Sequence, residues 1–343
     1  MKNFISFILL FLFVNSNVHG QPKYGLSNYR IPVGKKGAEI ATVFHSSIKD
    51  PELKILEDAS GIFKVKKNRL FLKANRKVKA SAKPFSLKLS IGGEFLEVDL
   101  VADNFIKNKV IAHRGAFKHY NVSENSLGAL QNAIDLGCEG SEFDVWVTKD
   151  GKAVVSHDPT IGGVNIEHAS ASEVLKVPLK NNEFVPGLEE YLALGKKQNK
   201  TFLILEIKHS GKGFDAMMDA TDTVMNVVSR MKAQGWVKYI SFSYSALQRI
   251  KKYDPFADVS YLSGDRSVEQ VKQDGLSGID YNTSVYEKDK KMIKAAQALG
   301  LSVNVWTVNK RDQLLYFLNE NVDFITTDEP ALLLELIKEN FKK

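Results

Sequence analysis

From residue 106 onward the chain alternates short apolar runs with amphipathic segments, and it does so eight times. Strand-like runs fall at 109–113, 140–147, 202–208, 239–243, 258–262, 278–281, 301–306 and 323–326. Helix-period segments fit at about 124–137, 187–198, 215–234, 245–254, 267–274, 287–299, 310–319 and 329–340. Consecutive strands joined through helices pair in parallel, and eight such units close into a (β/α)8 TIM barrel of the α/β class. An open doubly wound sheet is the competing arrangement. It wants a glycine-rich turn after the first strand, and HRGAFK is not GxGxxG. Residues 158–186 interrupt the alternation and form an excursion between the second strand and its helix.

Residues 21–105 have a different pattern. Short alternating segments at 39–44, 63–65, 70–72, 85–91 and 95–101 are separated by turn residues such as Gly61, Asn68, Pro84 and the pair Gly92-Gly93. None reads as a long amphipathic helix, so this part is expected to be a small all-β sandwich preceding the barrel domain of 106–343. GIFKVKKNRLFLK and FSLKLSIGG are similar to cadherin-like modules, without the acidic cluster that calcium binding needs. The module also carries the chain's excess charge: 16 Lys and Arg against 9 Asp and Glu in 21–105, but 30 against 31 in 106–343. Lys64, Lys66, Lys67, Arg69, Lys73, Arg76, Lys77 and Lys79 fall in one stretch. Either they are a solvated strand surface or they contact an anionic membrane or envelope polymer. Nucleic acid is not expected, because no aromatic residues interleave with the charge.

Residues 1–20 read as a signal peptide: Lys2, an apolar run at 4–14, and small residues before a cut after Gly20. The mature chain is then expected outside the cytoplasm, secreted or periplasmic and bacterial; the competing reading, an uncleaved membrane anchor, wants an apolar run of about 20 residues, roughly twice the one present. The single cysteine, Cys138, has no internal partner and is expected in the core.

The chemistry concentrates between Val110 and Asp158. His113 and Arg114 end the first strand, and Glu142 and Asp144 stand two apart on the second, hence on one face. Adjacent carboxylates on one face are costly without a cation or proton between them, and a hard divalent cation answers that need. His157 follows at the end of the same unit. Glu206 and Lys208 repeat the two-apart pattern on the third strand, Trp306 ends the seventh, and Asp328 follows the eighth. Barrel sites form where the strands' C-terminal ends meet, and these polar residues converge there.

These motifs resemble the glycerophosphodiester phosphodiesterase family. HRG at 113–115, EN at 124–125, ExD at 142–144, TKDG at 148–151 and HD at 157–158 follow its order. So do VPGLEE at 185–190, LEIK at 205–208, SFS at 241–243, VWTVN at 305–309 and DFITTDEP at 323–330. One departure is Ser123, where the family usually has proline; serine at that point is expected to serve as the helix N-cap. The resemblance implies that Glu142, Asp144 and Glu206 bind one divalent ion, magnesium or calcium. Arg114 and Lys208 then meet phosphate, His113 and His157 act as general base and acid, Glu124 binds on the metal side or orients a substrate hydroxyl, and Trp306 is either core or a stacking surface for glycerol. The implied reaction is hydrolysis of glycerophosphodiesters to glycerol 3-phosphate and an alcohol, through attack by a glycerol hydroxyl and a cyclic phosphate.

Two other readings compete. A phospholipase D- or C-like enzyme acting on intact lipids needs an exposed apolar rim, and the excursion shows no long apolar stretch. A non-catalytic envelope binding protein needs a lost ligand or histidine, and none is missing. A cysteine-based zinc site, HExxH and a GxSxG elbow are all absent.

Overall fold

The computed structural model describes residues 24–340, so the signal sequence at 1–20 lies outside the described residues. The N-terminal part consists of β1 (Tyr24–Leu26), β2 (Arg30–Pro32), β3 (Glu39–His45), β4 (Leu53–Asp58), β5 (Phe63–Lys66), β6 (Arg69–Leu72), β7 (Phe85–Ile91) and β8 (Glu94–Asp103). They form two four-stranded sheets, ordered β1-β3-β6-β5 and β2-β8-β7-β4. One core joins the sheets, with Leu26, Val43, Leu70 and Leu72 from the first meeting Ile31, Leu89, Val98 and Leu100 from the second. This is the expected sandwich. The sequence reading missed β1, β2 and β4. The first two have only three residues each, too few to show a period, and in β4 only Leu53 is buried.

The second part closes as anticipated. Its barrel strands are β9 (Val110–Ala112), β10 (Gly140–Val147), β14 (Phe202–Ile207), β15 (Val237–Ser241), β16 (Val259–Tyr261), β17 (Gly278–Asn282), β18 (Ser302–Trp306) and β19 (Phe324–Thr327). All neighbours pair in parallel, and β9 joins both β19 and β10. The helices are α1 (Leu127–Leu136), α2 (Ala171–Val174), α3 (Leu188–Gly195), α4 (Phe214–Arg230), α5 (Tyr244–Tyr253), α6 (Val268–Gln273), α7 (Thr283–Lys288), α8 (Met292–Ala298), α9 (Arg311–Asn319) and α10 (Pro330–Asn340). Both faces of β14 (FLILEI) are buried, which is why it reads as an unbroken apolar run. The segment at 287–299 is two helices, because Asp289 leaves the helical conformation at the end of α7. Helix α1 starts later than expected. Its N-cap is Ser126, whose side chain accepts from Ala129 N, while Ser123 accepts from Lys180 N at 3.1 Å instead. Cys138 is fully buried, and burial pushes its thiol up to about 12. Among the described residues no helix is long and apolar enough to cross a membrane.

The excursion starts with β11 (Ala153–Val155), which turns back antiparallel along β10, and continues through the small hairpin of β12 (Thr160–Ile161) and β13 (Val164–Asn165). It has its own apolar centre of Trp146, Val154, Ile166 and Val174.

The sandwich caps the N-terminal end of the barrel, opposite the predicted site. Phe105 stacks on Phe202 at 3.9 Å, and Arg30, Lys107 and Lys238 surround the Phe202 ring at 4.9–5.1 Å. Val101 and Phe105 belong to the barrel's own core. Asp99, on β8, pairs with Lys196 at 2.9 Å, and both side chains are largely buried. Removing that carboxylate leaves the Lys196 ammonium with only Met231 O and the Trp236 ring as partners in a poorly hydrated interface. Asp99→Ala is therefore expected to lower unfolding free energy by about 2–3 kcal/mol while leaving turnover intact. Urea denaturation checks the first point, and unchanged stability would show that this pair does not help to hold the sandwich on the barrel.

Candidate active site

Three carboxylates meet at the C-terminal end of the barrel. The parallel register puts Asp144 beside Glu206 and Glu142 beside Ile204, so both β10 acids and the β14 acid face inward. All three are at least nine-tenths buried, and one ligand oxygen of each lies within 4.8 Å of the others. Burial, with Asp144 and Glu206 nearby, drives the Glu142 carboxyl well above its ordinary value. Burial beside Asp144 pushes Glu206 up to about 8. Burial also pushes Asp144 upward, but Lys208 and the Asn125 amide outweigh it and hold this carboxyl low.

Lys208 Nζ lies 3.1 Å from Asp144 Oδ1 and 2.9 Å from Glu206 Oε1. One ammonium does not balance three carboxylates, and the Lys208 ion pair is all that meets the buried Glu206 Oε1 among the described residues. An all-oxygen donor set of three buried carboxyls, two of which burial and repulsion keep from ionising freely, fits one hard divalent ion.

Around the triad, the loop after β9 is held in unusual backbone conformations. Arg114 and Asn125 both adopt positive φ, at 53° and 57°. Gly115 has φ 78°, and a Cβ there would come within 2.7 Å of the Ala129 backbone, so only glycine lets the HRG turn sit against α1. Arg114 N donates to Glu142 Oε2 at 2.8 Å. Asn125 makes a two-point contact with Asp144, donating to Oδ2 at 2.8 Å and accepting from Asp144 N at 3.0 Å. The excursion pins this loop from outside. Lys180 N donates to Ser123, and Glu183 Oε1 accepts from Gly128 N at 2.8 Å, at the start of α1.

Both predicted histidines line the cavity, and each has a carboxylate behind it. His113 Nδ1 is 2.7 Å from Asp328 Oδ1, and Asp328 Oδ2 accepts from Asn309 at 2.7 Å. His157 Nδ1 is 2.8 Å from Asp158 Oδ1. In each ring Nε2 is left for the cavity. His113 is the more enclosed, at 18% side-chain exposure against 32% for His157. Trp306 lies across the cavity, with its indole nitrogen tied to Asp280 O at 2.8 Å and its ring edge-on to Phe242. The cavity between these residues has a volume of about 130 Å³.

Glu124 does not join the triad. Both its oxygens accept from Arg114 Nη1 at 3.0 and 3.1 Å, so it holds the guanidinium. Arg114 Nε is left buried without a hydrogen bond, 3.8 Å from Asp144. Four positioning residues were not assigned roles from sequence: Asn125, Asp158, Asn309 and Asp328. Two of them directly follow an assigned residue, Asn125 in EN and Asp158 in HD, and Asn309 and Asp328 lie inside the VWTVN and DFITTDEP runs, which is the signal that could have found them. His119 is exposed and bonded to Glu329 at 2.6 Å, and it is not among the residues that line the cavity.

The pH dependence of the triad follows from its charge. Glu142 and Glu206 bind protons more tightly folded than unfolded, so their stabilising contribution is complete below about 4.5 and is lost as pH rises through about 8 for Glu206. A bound divalent ion displaces those protons and cancels the loss. The rise in Tm on adding magnesium or calcium should therefore grow between pH 5 and 8. Calorimetry in buffers of different ionisation enthalpy should show net proton release at pH 7. A metal-induced shift that is flat in pH, with no proton release, would place the ion elsewhere.

Comparison with known proteins agrees with this geometry. The model of the glycerophosphoryl diester phosphodiesterase family matches residues 113–332. A Caldanaerobacter subterraneus subsp. tengcongensis protein named glycerophosphodiester phosphodiesterase is 27% identical over 247 residues, 68% of this chain and 99% of that one. The crystal structure of a glycerophosphodiester phosphodiesterase from Parabacteroides distasonis is 35% identical and superposes with a TM-score of 0.67, covering 69% of this chain and all of that one. An Oleispira antarctica phosphodiesterase, solved in complex with its product sn-glycerol-3-phosphate, shares the fold at a TM-score of 0.61 and 23% identity, covering 67% of this chain and 96% of that one. The sandwich lies outside the residues that the family model matches, and these findings do not bear on its cadherin-like resemblance.

Proposed function

The chain belongs to the glycerophosphoryl diester phosphodiesterase family, and from that premise we propose that it hydrolyses glycerophosphodiesters to glycerol 3-phosphate and an alcohol. The observation that carries this reading is the buried carboxylate triad flanked by two carboxylate-backed imidazoles. Glu142, Asp144 and Glu206 would hold one divalent ion, magnesium or calcium, which when bound supplies Lewis-acid polarisation of a phosphoryl oxygen.

The chain's own residues account for the proton transfers. Asp328 fixes a proton on His113 Nδ1, so Nε2 is the basic nitrogen and takes the proton from a glycerol hydroxyl as that oxygen attacks phosphorus. His157, nearer the open side, gives its Nε2 proton to the departing alcohol oxygen as the P–O bond breaks. In the second half the roles reverse: His157 takes a proton from water, whose oxygen attacks phosphorus, and His113 returns its proton to the glycerol oxygen as the cyclic ester opens. Arg114 Nε and the Lys208 ammonium face the phosphate. A cavity of about 130 Å³ is small beside ordinary ligand pockets, so it takes the glycerophosphate end and leaves the head group outside. Trp306 and Phe242 then face the glycerol carbons.

One observation favours the lipid-acting alternative. Phe184 in the excursion, Phe214 after the Lys208 loop and Phe242 at the mouth are 55%, 65% and 39% exposed. Assaying glycerophosphocholine beside lysophosphatidylcholine separates the two substrates. His113→Ala and His157→Ala should each lower turnover of the preferred substrate by about 10²–10⁴-fold, and chelation should abolish it until a divalent ion is returned. Near-normal turnover in either variant would sink the acid–base assignment.

Secretion to a bacterial envelope, through the leader at 1–20, belongs to the same proposal, and so does contact with an anionic surface. All eight basic side chains between Lys64 and Lys79 are exposed, and among the described residues only Arg69 has a carboxylate partner, Glu39. The mature chain is expected to bind anionic vesicles at low salt and to release them near 1 M salt, where the screening length falls to about 3 Å. Binding that ignores salt would contradict an electrostatic contact.

A further inference from the structure

A cavity of about 480 Å³ lies far from the triad, between the sandwich and the N-terminal end of the barrel. That volume and its position between two folding units are typical of small-molecule sites. Its walls are aromatic on both sides. Tyr24, Tyr29 and Phe44 come from the sandwich, and Tyr239, Tyr253 and Phe256 come from the barrel. Phe44 and Phe256 meet across the boundary at 5.7 Å.

The polar groups of this cleft have unused acceptor capacity. Gln234 Oε1 is buried with no hydrogen-bond partner. The Asp254 carboxyl accepts from Phe256 N at 2.9 Å and from the Ala257 backbone, and it makes no salt bridge among the described residues. Burial raises the Asp254 carboxyl, and its field reaches both Tyr29 and Tyr239, which places the three groups together. Nearby cations are already engaged. Lys238 pairs with Asp258 at 2.9 Å, Arg30 lies over the Phe202 ring, and Lys251 Nζ donates to Ala257 O at 2.9 Å. The Lys251 charge still acts on Asp254, without forming an ion pair with it.

We propose that this cleft binds a primary ammonium ion carried on a short alkyl chain. Unused acceptors call for N–H donors, the unpaired carboxylate calls for positive charge, and the aromatic faces accept both a cation and its methylenes. A quaternary ammonium would satisfy the rings and leave the acceptors unfilled. A neutral alcohol would leave the carboxylate unpaired.

Calorimetric and NMR titrations of the mature protein test this with n-butylammonium, butan-1-ol and tetramethylammonium. Butylammonium should bind saturably with Kd of about 1 mM or below, and both controls at least about tenfold more weakly. N-acetyl-lysine amide, with the same ammonium on a bulkier chain, separates a free amine from a protein side chain as the natural source. Asp254→Asn keeps an oxygen for Phe256 N, so the fold is retained, and it should weaken butylammonium by about tenfold or more. Tyr239→Leu, which removes a ring face and leaves Asp254 in place, gives a second reading, and it should also weaken binding. Butan-1-ol binding as well as the amine, Asp254→Asn binding as well as the parent, or no saturable binding by about 50 mM, far weaker than a Kd of about 1 mM, would each overturn the proposal.

Discussion

Three carboxylates held together in a nearly dry barrel mouth are the constraint on which the rest of the site depends. Glu142 and Asp144 share a face because they are two apart on β10, and Glu206 joins them because β14 pairs with β10 in the register Asp144 beside Glu206. A one-residue slip of β10 would turn Glu142 and Asp144 out of the barrel, and one of β14 would turn out Glu206. Their mutual repulsion is partly offset by Lys208, by the Asn125 amide and by the Arg114 backbone. The remainder is what a divalent ion would neutralise. The barrel's apolar strands hold the acids in place against that repulsion.

Around this centre, positioning is done by residues that never face the substrate. Asp328 and Asp158 stand behind the two imidazoles, and Asn309 stands behind Asp328. Glu124 holds the Arg114 fork. Backbone strain gathers at the same spot, with positive φ at Arg114, Gly115 and Asn125, as expected where a loop must present side chains in one fixed arrangement. The excursion braces the loop through Ser123 and Gly128, so its place in the chain, between the second strand and its helix, serves the site directly.

Much of this was legible in the sequence because barrel strands carry long-period information. Eight alternations and the two-apart spacing of Glu142 with Asp144, and of Glu206 with Lys208, identify both the closed sheet and the face its acids occupy. Residues whose work is indirect were harder to see. Glu124 looks like a fourth acid for the metal side, yet it is bonded to Arg114, a contact set by loop geometry that spacing does not encode. Ser123 looks like a helix cap, yet the chain makes its turn through Asn125 and starts the helix at Ser126, where the side chain meets Ala129 N. Strands β1 and β2, three residues each, owe their conformation to the sheet that receives them. The seating of the sandwich on the barrel, through the Phe105–Phe202 stack and the Asp99–Lys196 pair, is tertiary and leaves no local signal.

The account stands or falls on one ion in one place. Crystals soaked in manganese, a hard divalent ion with strong anomalous scattering, would show it directly. One anomalous peak per chain is predicted, about 2.0–2.6 Å from oxygens of Glu142, Asp144 and Glu206, and it should be lost together with turnover in Glu206→Gln. A peak elsewhere, or full turnover with the triad empty, would contradict the account.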